Sequence, residues 1–316
     1  MVATENTTKT EDAPVRKGQV IYSGESSFDE SRCIKISRYM KRNISLPIGL
    51  AMIGFLFAIS FIGPFFWDVD MAVPLAGPAR LAPTAEHPFG TDAQGRDILA
   101  IIIAGTYLTV RTGILAGFLG VAIGGALGFF AAYYGGWVDN VINWTVDVLL
   151  TVPALLILVV IASGIQDEMS SLNMAGIIAL LAWRRPTRQI RSQVLVMRSM
   201  GYVDTARISG MNSFEIIFKE MVPNLLPYMV ASFVLAVSAA VLAAVGLQAM
   251  GLGPQNEPTL GMTVFWMMYD SAFLQGMWWW IAPPLVVLII LFVGLYLLSA
   301  GLDEFSNPRL RQKGAS

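Results

Sequence analysis

Hydrophobic positions in this chain of 316 residues gather into long runs that no charge interrupts, at 46–66, 112–134, 148–164, 174–183, 225–250 and 278–302. About 20 helical residues cross the hydrocarbon core of a bilayer, so each run is read as a membrane span. The third and fourth are short, and their helices are extended to about 141–164 and 174–190. The expected fold is all-α, a polytopic membrane protein with six transmembrane helices. It comprises a polar tail at 1–43, which the composition marks as largely disordered, and a transmembrane domain at 44–316. An even number of spans puts both termini on one side. The second span carries Gly113, Gly117, Gly120, Gly124 and Gly128 close to four-residue spacing, a face of nearly bare backbone suited to close helix packing.

Composition agrees. With 55% hydrophobic and 14% charged residues and a mean hydropathy of +0.61, the chain is too apolar for a soluble domain. Its net charge of −1 hides an asymmetry that fixes orientation. Of 21 Lys and Arg, eight precede the first run, seven lie within 184–219 and three follow the last run. Arg80 and Arg96 fall on the other side, and Arg111 stands at a membrane boundary. Positive loops stay in the cytoplasm, so both termini and residues 184–224 are expected inside, with 67–105 and 252–277 outside. No cleavable signal segment is recognised before residue 44. The multi-pass chain is expected in the plasma or inner membrane, with the bilayer as its solvent and no nucleic acid partner.

Two polar segments carry the candidate chemistry. The first, 202–224, reads as a short helix ended by Gly210, which takes the left-handed C-terminal conformation without strain. A second helix follows, with Asn212 as N-cap, Glu215 completing a capping box and Pro223 stopping it. Phe214, Ile217, Phe218 and Met221 fall at i, i+3, i+4 and i+7, an apolar stripe on a cytoplasmic segment. The stripe either packs back on the protein's own spans or fills a groove in a partner. The second segment, 87–97, is His87-Pro88-Phe89-Gly90-Thr91-Asp92-Ala93-Gln94-Gly95-Arg96-Asp97. Pro88 and Gly90 predict a turn, Thr91 or Asp92 a helix cap, and Asp92, Arg96 and Asp97 a local charge cluster. His87 is read as structural rather than as a metal or acid–base group. Trp278, Trp279 and Trp280 read as an interfacial aromatic anchor, and Asp139 and Asp147 lie at the inner edge of the third span.

The only cysteine, Cys33, excludes an internal disulfide framework and a cysteine-based zinc site. No GxxxxGK[ST], HExxH, GxSxG or CxxC string occurs, so the chain has no nucleotide-binding P-loop and no recognisable catalytic set. No metal site and no cofactor are expected on it. Three classes remain: a non-catalytic transport permease, a secondary transporter and a membrane enzyme. Spans free of charge, without an evident internal repeat, favour the first.

Asp204, Ala206, Gly210 and Pro223 stand at the spacing of the coupling segment, the EAA loop, of ABC importer permeases, which the chain resembles. The string His87 to Asp97 is similar to the HPFGTDxxGRD signature of the C-type permease subunits of dipeptide, oligopeptide and nickel importers. The 133–139, 251–261 and 301–310 stretches extend the likeness over most of the chain after residue 43, although Tyr107 stands where relatives commonly have arginine. The resemblance implies a type I ABC importer transmembrane domain. It implies a second, distinct permease subunit as heterodimer partner, two cytoplasmic ATPase subunits that bind ATP and Mg, and an external substrate-binding protein. Asp204, Ala206, Arg207, Gly210, Phe214, Ile217, Phe218, Met221 and Pro223 would couple to an ATPase, within a cytoplasmic coupling loop at 191–224. His87, Gly90, Thr91, Asp92, Gly95, Arg96 and Asp97 would form the outer-loop motif. Peptides are the implied cargo, with oligosaccharides or nickel as alternatives.

Overall fold

The computed structural model describes residues 43–165 and 168–306, so the tail expected at 1–43 falls outside it but for Asn43. The described residues are almost entirely helical. Helices α1 (Ser45–Ile62), α2 (Ile98–Tyr134), α3 (Gly136–Thr151), α4 (Ala154–Ser163) and α5 (Ser171–Ala182) are followed by α6 (Arg184–Arg198) and α7 (Gly201–Ile208). Then come α8 (Ser213–Ala249), α9 (Leu260–Tyr269) and α10 (Trp278–Ser306). By length and apolarity α1, α2, α8 and α10 can each cross a membrane, and α3 with α4 makes a fifth span if the bent pair is counted as one. The short apolar α5 runs through Trp183 into α6, which completes an approximate six-helix arrangement.

Several boundaries differ from the sequence expectation, each for a local reason. Helix α2 starts at Ile98, not near 112, because Asp97 caps it: its Oδ1 accepts the Ala100 N–H at 2.8 Å. The added turns are paired with protein, as Thr109 Oγ1 accepts the Leu260 N–H at 3.2 Å. At 37 residues and 1.5 Å per residue α2 is about 55 Å long, well beyond the ~30 Å hydrocarbon core. The span expected at 141–164 is broken: α3 and α4 meet at 82°. Pro153 bars Val152 from helical geometry, and Val152 sits at φ −88°, ψ 129°. The 191–224 stretch is helical for most of its length, and α8 begins at Ser213, not near 225. Pro223 does not stop it. A π turn at Ile216–Met221 widens the helix just before the proline ring, and α8 continues to Ala249.

The glycine face of α2 is consumed inside the subunit. A Cβ on Gly117 would lie 2.8 Å from the Val237 nitrogen, one on Gly120 2.7 Å from Ala182 Cβ, and one on Gly128 2.9 Å from the Thr187 oxygen. Backbone therefore meets backbone along α2, α5–α6 and α8, which leaves this stripe no freedom to line a pore or meet a second chain. Helices α1 and α10 approach in the same way, a Cβ on Gly301 lying 2.7 Å from Leu46 Cβ. In the last turn of α8, buried Gln248 accepts from Thr259 Oγ1 at 2.9 Å, and Thr259 caps α9.

Candidate functional site

The segment expected to make external contact sits at the C-terminal end of α2. Gly210, at φ +82°, turns the chain out of α7, as only glycine does without strain. Asn212 and Glu215 form the capping box: the Glu215 N–H donates to Asn212 Oδ1 at 2.9 Å, and the Asn212 N–H to Glu215 Oε2 at 3.1 Å. Lys219 adds an ion pair to Glu215 at 3.1 Å. Two tight devices thus fix a knuckle between α7 and α8, and α7 is seated on the bundle by buried Val203 and Ala206.

The apolar stripe is divided between the two readings left open by its spacing. Ile217 (4% exposed) and Met221 are buried within the chain, so they serve its own packing and offer a partner nothing. Phe214 (54%) and Phe218 (63%) stand outside, although Phe214 touches Phe130 edge-on with ring centroids 6.3 Å apart. The π turn is the reason: its extra residue per turn rotates side chains off the ordinary i, i+3, i+4, i+7 face. Ile208, 88% exposed at the end of α7, joins the two phenylalanines as an unsheltered apolar group. Sequence reading missed it. The available signal was its place opposite Val203 and Ala206, as the only large apolar residue on the polar side of α7. Asp204 and Arg207 pair at 3.3 Å on the exposed side, the Arg207 guanidinium lies 5.8 Å from the Tyr133 ring centroid, and Pro223 is exposed. The Tyr202 hydroxyl is buried without a hydrogen bond among the described residues, and burial, then nearby Glu220, raises its pKa above the ordinary phenol value.

At the other end of α2 the 87–97 motif forms a buried clasp. His87 Nδ1 lies 2.8 Å from Asp97 Oδ2, while Asp97 Oδ1 also accepts the Trp67 indole N–H at 3.1 Å. Arg96 Nε donates to Asp92 Oδ2 at 2.6 Å, and Asp92 Oδ1 accepts the N–H groups of Gln94 and Arg96 at 2.8 and 2.9 Å. Thr91 Oγ1 donates to the Pro78 carbonyl, and the Trp279 indole reaches the Thr91 carbonyl at 3.4 Å. Gly90 and Gly95 both adopt positive φ, and a Cβ on Gly95 would collide with the Gly77 carbonyl. The cap expected from Thr91 or Asp92 is supplied by Asp97 instead, while Asp92 folds the turn. His87 is accounted for as a hydrogen-bonding strut. The tryptophan triplet is likewise divided: Trp278 is exposed, Trp280 is fully buried, and Trp279 serves the clasp, so only the first can be an interfacial anchor.

Between these ends, charges tie α3 to α6. Asp139 receives a bidentate pair from Arg191 at 2.5 and 2.6 Å, and Asp147 pairs with Arg188 at 3.3 Å on the exposed side. Arg184 behaves differently. It is buried, and it donates to two carbonyls, Leu181 O at 2.8 Å and Leu149 O at 2.5 Å. Leu149 O would ordinarily accept from residue 153, but Pro153 has no N–H. The next orphan, Val148 O, takes the Thr151 hydroxyl at 2.7 Å. Side chains therefore finish the end of α3 that the proline leaves open. Among the described residues no group of three or more His, Cys, Asp or Glu is placed to hold a metal ion.

A bundle of spanning helices with an apolar knuckle at one end and a folded clasp at the other defines a multi-pass membrane protein. The chain belongs to the family of binding-protein-dependent transport system inner membrane components, whose sequence profile matches residues 124–312. It is 28% identical over 275 residues to the dipeptide transport system permease protein DppC of Bacillus subtilis, covering 87% of this chain and 85% of that one. It is 26% identical over 292 residues to the oligopeptide transport system permease protein OppC of Mycobacterium tuberculosis, covering 90% and 97%. The glutathione transport system permease protein GsiD of Pectobacterium atrosepticum is 29% identical over 220 residues, covering 69% and 72%. Membership of this family sets aside the secondary-transporter and membrane-enzyme readings.

Proposed function

We propose that this chain is the permease subunit of an ATP-driven importer of peptides, and that the knuckle of Ile208, Phe214 and Phe218 is its contact with an ATPase. The observation that carries this is the exposure of three large apolar side chains on a segment immobilised by Gly210 and the capping box. A soluble face of that kind stabilises when a partner groove covers it, and Asp204, Arg207 and Lys219 supply charges at its rim. In this reading the knuckle is cytoplasmic, as the clustering of basic residues supports. A second, distinct permease completes the path, one ATPase grips each permease, and ATP with Mg is bound there. A substrate-binding protein docks on the opposite loops. Peptide cargo is supported by the relatives, which are named for dipeptide, oligopeptide and glutathione transport.

The test separates contact from packing. Phe218→Ala is expected to weaken association with the ATPase by about 2–4 kcal/mol and to reduce uptake without lowering thermal stability. Ile217→Ala should do the reverse, costing about 2–5 kcal/mol of stability by leaving a buried cavity. Unchanged ATPase association and uptake in Phe218→Ala would sink the coupling assignment. For the cargo, the external binding protein is screened by thermal shift against peptides, oligosaccharides and nickel, where a ligand at 100 times its Kd adds about 2.7 kcal/mol. Stabilisation by oligosaccharides or nickel alone would overturn the peptide reading.

A further inference from the structure

A cavity of about 210 Å³ with an almost wholly apolar wall opens between the last turns of α1 and the first half of α2. Phe57, Ser60, Thr106, Tyr107, Arg111 and Ile114 are among its lining residues. Arg111 makes no ion pair among the described residues, and its guanidinium lies 6.0 Å from the Tyr107 ring centroid. Helical side chains lean toward the N-terminus of their helix, and Tyr107 is one turn nearer that end, so the cation is carried up α2 toward the end of the bundle holding the clasp. An arginine stem that lies along apolar wall while its head rises to the membrane surface is the geometry of snorkelling. A cation on a spanning helix needs an anion there.

We infer that this cleft is a binding site for one anionic phospholipid, whose phosphate pairs with Arg111 and whose acyl chain fills the cavity against Ile114. Size selects the occupant. The cavity is below the roughly 300–1,000 Å³ of pockets that enclose a drug-sized ligand, so it takes a stretch of hydrocarbon chain and not a peptide. Access agrees, because Phe57 and Tyr107 at its mouth are exposed and α1 is the least covered of the long apolar helices.

The experiment titrates the full-length chain, purified in mild detergent, with phosphatidylglycerol or phosphatidylcholine and counts bound lipid by native mass spectrometry. The wild type should retain one phosphatidylglycerol with roughly tenfold preference over phosphatidylcholine, as expected of one partly desolvated charge pair. Arg111→Gln should erase that preference and Arg111→Lys restore most of it. Ile114→Trp, which fills the cavity and leaves the cation, should lower occupancy by both lipids. Equal retention of the two lipids by the wild type, or a preference that survives Arg111→Gln, overturns the assignment. So does a photocrosslinker at position 111 that captures only a partner protein in native membranes.

Discussion

The clearest quantitative handle is the elbow between α3 and α4. Pro153 deprives the Leu149 carbonyl of its helical donor, and the Arg184 guanidinium replaces it at 2.5 Å. Arg184→Met keeps an unbranched chain in the same space but leaves that partly buried carbonyl unsatisfied, at a cost of about 1–3 kcal/mol. At about 2 °C per kcal/mol for a chain of this size, the melting temperature should fall by roughly 2–6 °C. Pro153→Ala restores an N–H four residues beyond Leu149, so that in its presence the carbonyl no longer depends on Arg184. The double variant Arg184→Met/Pro153→Ala should therefore be less destabilised than the sum of the single changes, with a coupling of about 0.5–3 kcal/mol. The assay is thermal unfolding of the full-length chain in detergent, followed by fluorescence-detected size exclusion, across all four members of the cycle. Strict additivity would refute the reasoning, because it would mean that Arg184 and the proline break contribute independently.

Further outcomes follow from contrasts of burial. Asp92→Asn strips the buried Arg96 of its counter-charge and should cost about 3–5 kcal/mol, whereas Asp204→Asn, which breaks an exposed pair, should cost less than about 1 kcal/mol; both are read as melting shifts. Gly124→Leu would drive a side chain into Trp183 and Pro186, costing about 1–3 kcal/mol or more, while Gly176→Leu, with open space around it, should stay within about 0.5 kcal/mol. If the two leucine variants melt alike, close packing along the glycine face is not what holds α2 in place.

The sequence was a good guide wherever one physical cause dominated. Uncharged runs marked the long helices because lipid tolerates little else, and the capping box and Gly210 were legible because each depends on local backbone chemistry alone. It misled where tertiary contacts compete. Pro223 looked like a stop, but a π turn accommodates the ring, and the same turn separates Phe214 and Phe218 from Ile217 and Met221. The start of α2 was hidden because Thr106, Thr109 and Arg111 break the apolar run, although the two threonines are buried by neighbouring protein that no linear pattern can display. The motif at 87–97 could be read as a turn with charges. That its polar groups pair inward, rather than facing a ligand, required the neighbours Trp67, Pro78 and Trp279, which lie between 13 and 188 positions from their partners.

These contacts bear on how a push at the knuckle could travel. Along α2 the spacing to α6 and α8 is set by backbone atoms, which leave no side chain free to repack, so a displacement at Phe214 and Phe218 moves α2, α6 and the inner half of α8 as one body. The clasp is attached to the same body through Asp97 at the first turn of α2. A rigid rod of about 55 Å thus joins the proposed ATPase contact to the loop proposed to face the binding protein. Helix α3 is joined to that body differently, by side-chain bonds from Arg184, Arg188 and Arg191 that end before the proline break. Side-chain bonds can exchange partners where backbone contacts cannot. The elbow is therefore where the bundle can yield while the rod keeps its shape, and transport variants that leave assembly intact should concentrate at 149–153 and 184–191 rather than along the glycine face.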